Sequence, residues 1–117
     1  MPISAFDIEI IQQIQKLILA DLQVHHSIGY LAEKAGMSES RLKQVFKQVA
    51  KTSLYACLKQ RRMQYAAELL QQNKHSLLLV AKQTGFRHHS NFIRAFKKQT
   101  GSTPASYRKQ YLNNNKK

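Results

Sequence analysis

The chain of 117 residues repeats itself, and that repeat limits its possible folds more than any other feature. Ser27, Leu31, Ala32 and Gly36 recur as Ser76, Val80, Ala81 and Gly85 at an offset of 49. One extra residue in the second copy then shifts the offset to 50, and Leu42, Phe46 and Lys47 recur as Phe92, Phe96 and Lys97. Each copy reads as a short helix, a glycine turn and a longer helix with an apolar stripe. Packing alone would explain the apolar positions of such a hairpin. It would not explain the chemistry of the opposite faces.

Local signals extend the pattern along the chain. Ser4-Ala5-Phe6-Asp7 is a capping-box variant with a carboxylate at the third helical position. Ile11, Ile14, Leu17, Ile18 and Leu22 follow at helical spacing, so a first amphipathic helix is expected to about Leu22. Ser27 caps a short helix ended by Gly36, and Ser38 caps the next, expected to about Lys51. Thr52 or Ser53 opens a long helix to roughly Asn73, with Leu58, Ala66, Leu69 and Leu70 on its apolar face. Ser76 caps a short helix stopped by Gly85, a further helix covers about Ser90 to Thr100, and Thr103-Pro104 starts the last. The polar tail, Asn113 to Lys117, is expected to fray. β-Branched residues are sparse and do not alternate, so strands have no support. The expected fold is all-α: seven helices in two helix-turn-helix subdomains, homeodomain-like units, joined by a long central helix. Residues 1–117 read as a single domain, with 4–51 the first subdomain, 53–73 the linker helix and 76–112 the second. A chain this short is expected to bury one modest core.

Charge narrows the function. Nineteen Lys and Arg face six Asp and Glu, a net +13 with a pI near 10.2. Residues 1–37 hold two bases and four acids, whereas 38–117 hold 17 bases and only Glu39 and Glu68 as acids. Charge carried for solubility would mix its signs; this segregation suits a polyanionic partner. Cys57 stands alone, which excludes an intrachain disulfide, and it reads as a small packed residue. With no signal-peptide pattern and no run of 18 apolar residues, a soluble, cytoplasmic protein is expected.

The outward faces supply the chemistry. Leu42, Val45, Phe46 and Val49 point one side of their helix inward, which leaves Ser40, Lys43, Gln44 and Lys47 on the other. In the second copy Phe92, Ala95 and Phe96 point inward; Ser90, Ile93, Arg94 and Lys97 point out, with His89 just ahead. Shifting the first stripe by 50 lands on the second. Arg and Lys donate to guanine O6 and N7, Gln pairs with adenine, and Ile93 can press a thymine methyl. Base readout is therefore assigned to Ser40, Lys43, Gln44, His89, Ser90, Ile93 and Arg94. Phosphate contact is assigned to Arg41, Lys47, Arg87, His88, Lys97 and Lys98, which fix register without reading sequence. A linker of about 21 residues would span roughly 31 Å, close to the roughly 34 Å between successive major-groove faces. One monomer could then seat both reading helices, on an asymmetric site.

Val80-Ala81, Thr84-Gly85-Phe86, Ser90-Asn91-Phe92, Arg94-Ala95-Phe96-Lys97-Lys98, Gly101-Ser102-Thr103-Pro104 and Tyr107-Arg108 together resemble the C-terminal signature of the AraC/XylS family of bacterial regulators. The resemblance runs upstream through Leu31-Ala32, Gly36-Met37-Ser38, Leu42, Phe46-Lys47, Arg62-Met63, Ala66 and Leu69-Leu70, and covers about 27–110. It implies two helix-turn-helix units contacting two major-groove segments, and activation of transcription with RNA polymerase. It also implies an effector-binding domain, for which nothing in this chain could serve. One departure matters: Lys51 stands where many members carry a glycine after the first reading helix, so that helix is expected to run on or turn differently.

Three other classes fit less well. Five histidines (His25, His26, His75, His88, His89) invite a metal, but no carboxylate or Cys joins them at ligand spacing. No Gly-rich phosphate loop is present, so neither an enzyme nor a cofactor is expected. Non-specific nucleic-acid binding suits the charge, yet the stripes mix Ser, Gln, His and Ile with the bases, and no aromatic platform for single strands is evident. A membrane partner is not expected, because the polar face of the first helix is acidic and glutamine-rich.

Overall fold

The computed structural model describes residues 2–114, and among them seven helices and no strands. In chain order these are α1 (Ala5–Ala20), α2 (Ile28–Ala35), α3 (Glu39–Ala50), α4 (Leu54–Gln72), α5 (Leu77–Gln83), α6 (His89–Thr100) and α7 (Pro104–Asn114). The chain divides into two compact units, Met1–Gln60 and Arg61–Lys117, and the division falls inside α4.

Every helix but α6 starts where a hydroxyl can take one of its first free amides. Ser27, Ser38 and Ser76 accept from Tyr30, Arg41 and Leu79 N–H, each at 3.1 Å. Ser53, not Thr52, does the same for α4 through Ala56 at 3.1 Å. Thr103 accepts from Ser106 ahead of Pro104. Such caps contribute about 1 kcal/mol apiece. The Ser4–Asp7 capping box closes in both directions, at 3.0 and 3.2 Å. Only α6 lacks this device: it begins one residue before the expected Ser90, and its N-cap, His88, offers no side-chain hydrogen bond.

The two copies of the repeat end their short helices identically. Gly36 N–H reaches Glu33 O at 3.1 Å and Met37 N–H reaches Ala32 O at 3.0 Å. Forty-nine residues on, Gly85 reaches Lys82 at 3.1 Å and Phe86 reaches Ala81 at 2.9 Å. This paired 5→2 and 6→1 closure needs a left-handed residue, which Gly36 (φ 66°) and Gly85 (φ 90°) supply. Thr84, beside the second turn, is fully buried, and its hydroxyl donates to Val80 O (2.8 Å) and Ala81 O (3.1 Å). A buried hydroxyl is tolerated because it is paired.

Several boundaries differ from expectation. Helix α1 stops at Ala20, where Asp21 accepts from Gln23 N–H at 3.0 Å and turns the chain locally. Helix α3 stops at Ala50 instead of running on, because Lys51 itself takes the left-handed conformation (φ 64°, ψ 13°). Its N–H bonds Lys47 O at 2.9 Å, just as Gly101 bonds Lys97 O at 2.8 Å at the end of α6. The turn a glycine would make is therefore made by lysine. Helix α4 has 19 residues, about 28 Å at the usual rise. Asn113 and Asn114 belong to α7, and the rest of the expected tail lies outside the described residues.

Two cores form, not one. In the first unit α1 packs on α2 and α3 around Ile11, Ile14, Ile18, Leu31, Leu42, Val45, Phe46 and Leu54. Leu17 and Val49 lie at its edge, as does Cys57, half-buried, with Gln15 Nε2 donating to its Sγ at 3.9 Å. In the second unit Met63, Ala66, Leu69 and Leu70 of α4 meet Val80, Ala81, Phe92 and Phe96. Rings continue outward from Phe86 through Phe92 and Phe96 to an edge-on Tyr107, with centroids 5.4–5.9 Å apart. The Tyr107 hydroxyl accepts from Gln71 at 2.7 Å, and Arg108 donates to His75 O, which ties α7 to α4 and to the start of α5. Each unit thus completes a small core by borrowing one end of α4.

Candidate nucleic-acid interface

Helix α3 buries Leu42, Val45 and Phe46 and exposes Ser40, Lys43, Gln44 and Lys47. Helix α6 buries Phe92 and Phe96 and exposes Ser90, Arg94, Lys97 and Lys98, with Ile93 half-buried among them. The buried phenylalanines fix the rotation of each helix, and therefore which side chains face out. Arg87 and His88, also exposed, lie just ahead of α6. Ser40, Lys43, Gln44 and Lys47 thus share one face of α3, and Ser90, Ile93, Arg94 and Lys97 share one face of α6 at an offset of 50, whereas Arg41 and His89 are half-buried and Arg87 and His88 precede α6.

Two of these side chains have surroundings that the sequence does not show. Arg41 was expected to stand ready for phosphate, yet its guanidinium is turned to Asp7, with Nη2 3.2 Å and 3.4 Å from the two carboxylate oxygens. Asp7 is nearly covered, so its carboxylate would be costly without a cation at its side. The Ser4 backbone amide, chiefly, holds the Asp7 carboxyl below the usual carboxylate range. Burial opposes that shift, and the Ser4 hydroxyl hydrogen bond and Arg41 add to it. His89, expected to reach a base edge, is half-buried at the first position of α6, with its Nε2 shut off from solvent and without a protein hydrogen-bond partner. Sequence reasoning missed Asp7 as part of this surface. Its one signal, the capping box, points to α1 and gives no hint of a residue 34 positions away.

Charge follows the units unevenly. The first 60 residues hold seven bases and five acids, net +2; residues 61–117 hold twelve bases and only Glu68, net +11. On α4, Arg61 lies 3.6 Å from Glu68 and over the Tyr65 ring, and burial lowers the pKa of Arg62 from the usual arginine value. Among the described residues no cluster of three or more His, Cys, Asp or Glu is placed to hold a metal ion, and no helix is long and apolar enough to cross a membrane.

Known proteins share this arrangement. A helix-turn-helix domain family matches residues 31–110. The probable transcription factor PqrA of Proteus vulgaris is 33% identical over 101 residues, which cover 85% of this chain and 83% of PqrA. The right origin-binding protein of Escherichia coli (strain K12) is 37% identical over 83 residues, 71% of this chain but only 29% of that protein. Among solved structures, the DNA-binding domain of AdpA, a global transcriptional factor in complex with a target DNA, superposes with a TM-score of 0.84 at 27% identity, covering 90% of this chain and 95% of that one. The repeat, the two matched helix faces and these relatives agree: the chain belongs to the AraC-type family of helix-turn-helix DNA-binding transcriptional regulators.

Proposed function

We propose that the chain binds double-stranded DNA sequence-specifically through α3 and α6, each entering a major groove, and that it activates transcription. The observation that carries this reading is the pair of exposed stripes matched at an offset of 50. Helices packed for stability alone have no reason to place a partly polar and basic stripe at matching positions twice, with Ser40 and Lys47 recurring as Ser90 and Lys97. In the first unit Ser40, Lys43 and Gln44 read bases and Lys47 anchors. In the second Ser90, Ile93 and Arg94 read, with His89 at their edge. Lys97, Lys98, Arg87 and His88 serve its phosphates. Two non-identical reading faces on one chain call for an asymmetric site of two short blocks about one helical turn apart. The same reading takes the protein to act in the cytoplasm with RNA polymerase as its protein partner.

Selection from a random duplex library tests this, followed by affinity against a scrambled duplex over a salt series. The expected outcome is an asymmetric two-block motif whose advantage persists when salt is matched. Binding that tracks salt alone, with no enriched motif, would identify a sequence-independent binder held by the +11 unit.

A further inference from the structure

Arg41 occupies a distinctive place on the first reading helix. At about 100° per residue it stands between the outward stripe and the buried face of Leu42 and Val45. Its Nη2 lies 3.2 Å and 3.4 Å from the two oxygens of Asp7, a carboxylate that also accepts the Ser4 amide at 3.2 Å. One acidic side chain therefore closes the start of α1 and holds the first turn of α3. In the second unit the matching position, 50 residues on, is Asn91, exposed and neutral. At this position neither reading helix presents a free cation, by residue type in one and by pairing in the other, although Lys98 stands exposed two turns further along the α6 flank.

We propose that Asp7 limits sequence-independent DNA binding by holding Arg41 out of the set of phosphate contacts. A phosphate contact tightens every duplex alike and carries no sequence information. A cation at the flank of a reading helix would strengthen the many competing complexes with arbitrary DNA. Asp7 pairs that cation, and Ser40, Lys43, Gln44 and Lys47 remain as the exposed groups of the outward stripe of α3. This inference rests on the DNA-binding reading above.

The test compares the whole chain with Asp7→Asn, Glu9→Gln and Arg41→Gln variants on a scrambled duplex, over about 50–200 mM salt. Asn keeps an oxygen for the Ser4 amide, and exposed Glu9 on α1 is a matched loss of charge away from Arg41. Asp7→Asn should bind the scrambled duplex more tightly and steepen the log–log salt slope by about one unit. Glu9→Gln and Arg41→Gln should keep the wild-type slope. The proposal falls if Arg41→Gln makes the slope shallower by about one unit, if Asp7→Asn leaves it unchanged, or if Glu9→Gln reproduces the Asp7→Asn effect. Should Asp7→Asn melt, Arg41→Gln decides alone, since it leaves the cap intact. A wild-type chain that binds no duplex sinks the DNA-binding reading and this inference together; the preceding outcomes sink this inference alone.

Discussion

Arg94 and Lys97 are exposed one turn apart on α6, and the proposed function gives them different work. A guanidinium that forks onto a guanine gains from one base pair and loses with any other. Arg94→Ala should therefore cost roughly 1–3 kcal/mol at the selected site and relax preference at one position. Lys97→Ala should weaken selected and scrambled duplexes alike and make the salt slope shallower by about one unit. Titrations of both variants on both duplexes over a salt series check this, and equal losses everywhere would abolish the division between reading and anchoring. Both positions were legible from the stripe alone. The inward turn of Arg41 was not, because a contact across 34 residues leaves no periodic trace. The buried Nε2 of His89 was equally hidden, since burial of a single atom depends on how neighbouring elements close around it.

At the ends of helices, sequence and structure part company in an instructive way. The serine caps and glycine turns were readable because each rests on a local rule about free amides or positive φ. Lys51 breaks the rule: it holds φ 64° where its counterpart, Gly101, holds 86°. A left-handed L-residue costs roughly 1–2 kcal/mol, and the surrounding first unit sustains it. Lys51→Gly should raise stability by about 0.5–1 kcal/mol once the greater backbone entropy of glycine is offset. Gly101→Lys should lose a comparable amount, with φ alone responsible, because open space surrounds a Cβ there. Urea unfolding of the two exchanges checks both signs. The apolar stripes also make a prediction about elements. Phe46 and Phe96 are fully buried at matching places in α3 and α6. Truncating either to Ala should cost roughly 3–5 kcal/mol by opening a cavity under a reading helix. Unchanged unfolding midpoints would show that these rings do not hold the helices in place.

For the molecule as a whole, the sequence announced seven helices and a duplication, but it suggested one core where there are two. Length sets the total apolar area available and does not say how that area is partitioned. Only the packing shows Leu54 and Cys57 of α4 joining the first cluster, and Met63, Ala66, Leu69 and Leu70 joining the second. The charge follows the same partition, +2 against +11. That imbalance has a kinetic consequence. Screening confines attraction to about 8–10 Å at ordinary ionic strength, so an approaching duplex is felt mainly by the second unit. First touch belongs to that unit at any sequence, while the nearly neutral first unit adds little until its side chains meet bases that suit them. On the proposed reading, arrival falls to the second unit, while the time spent on the duplex is set by the reading side chains of both halves.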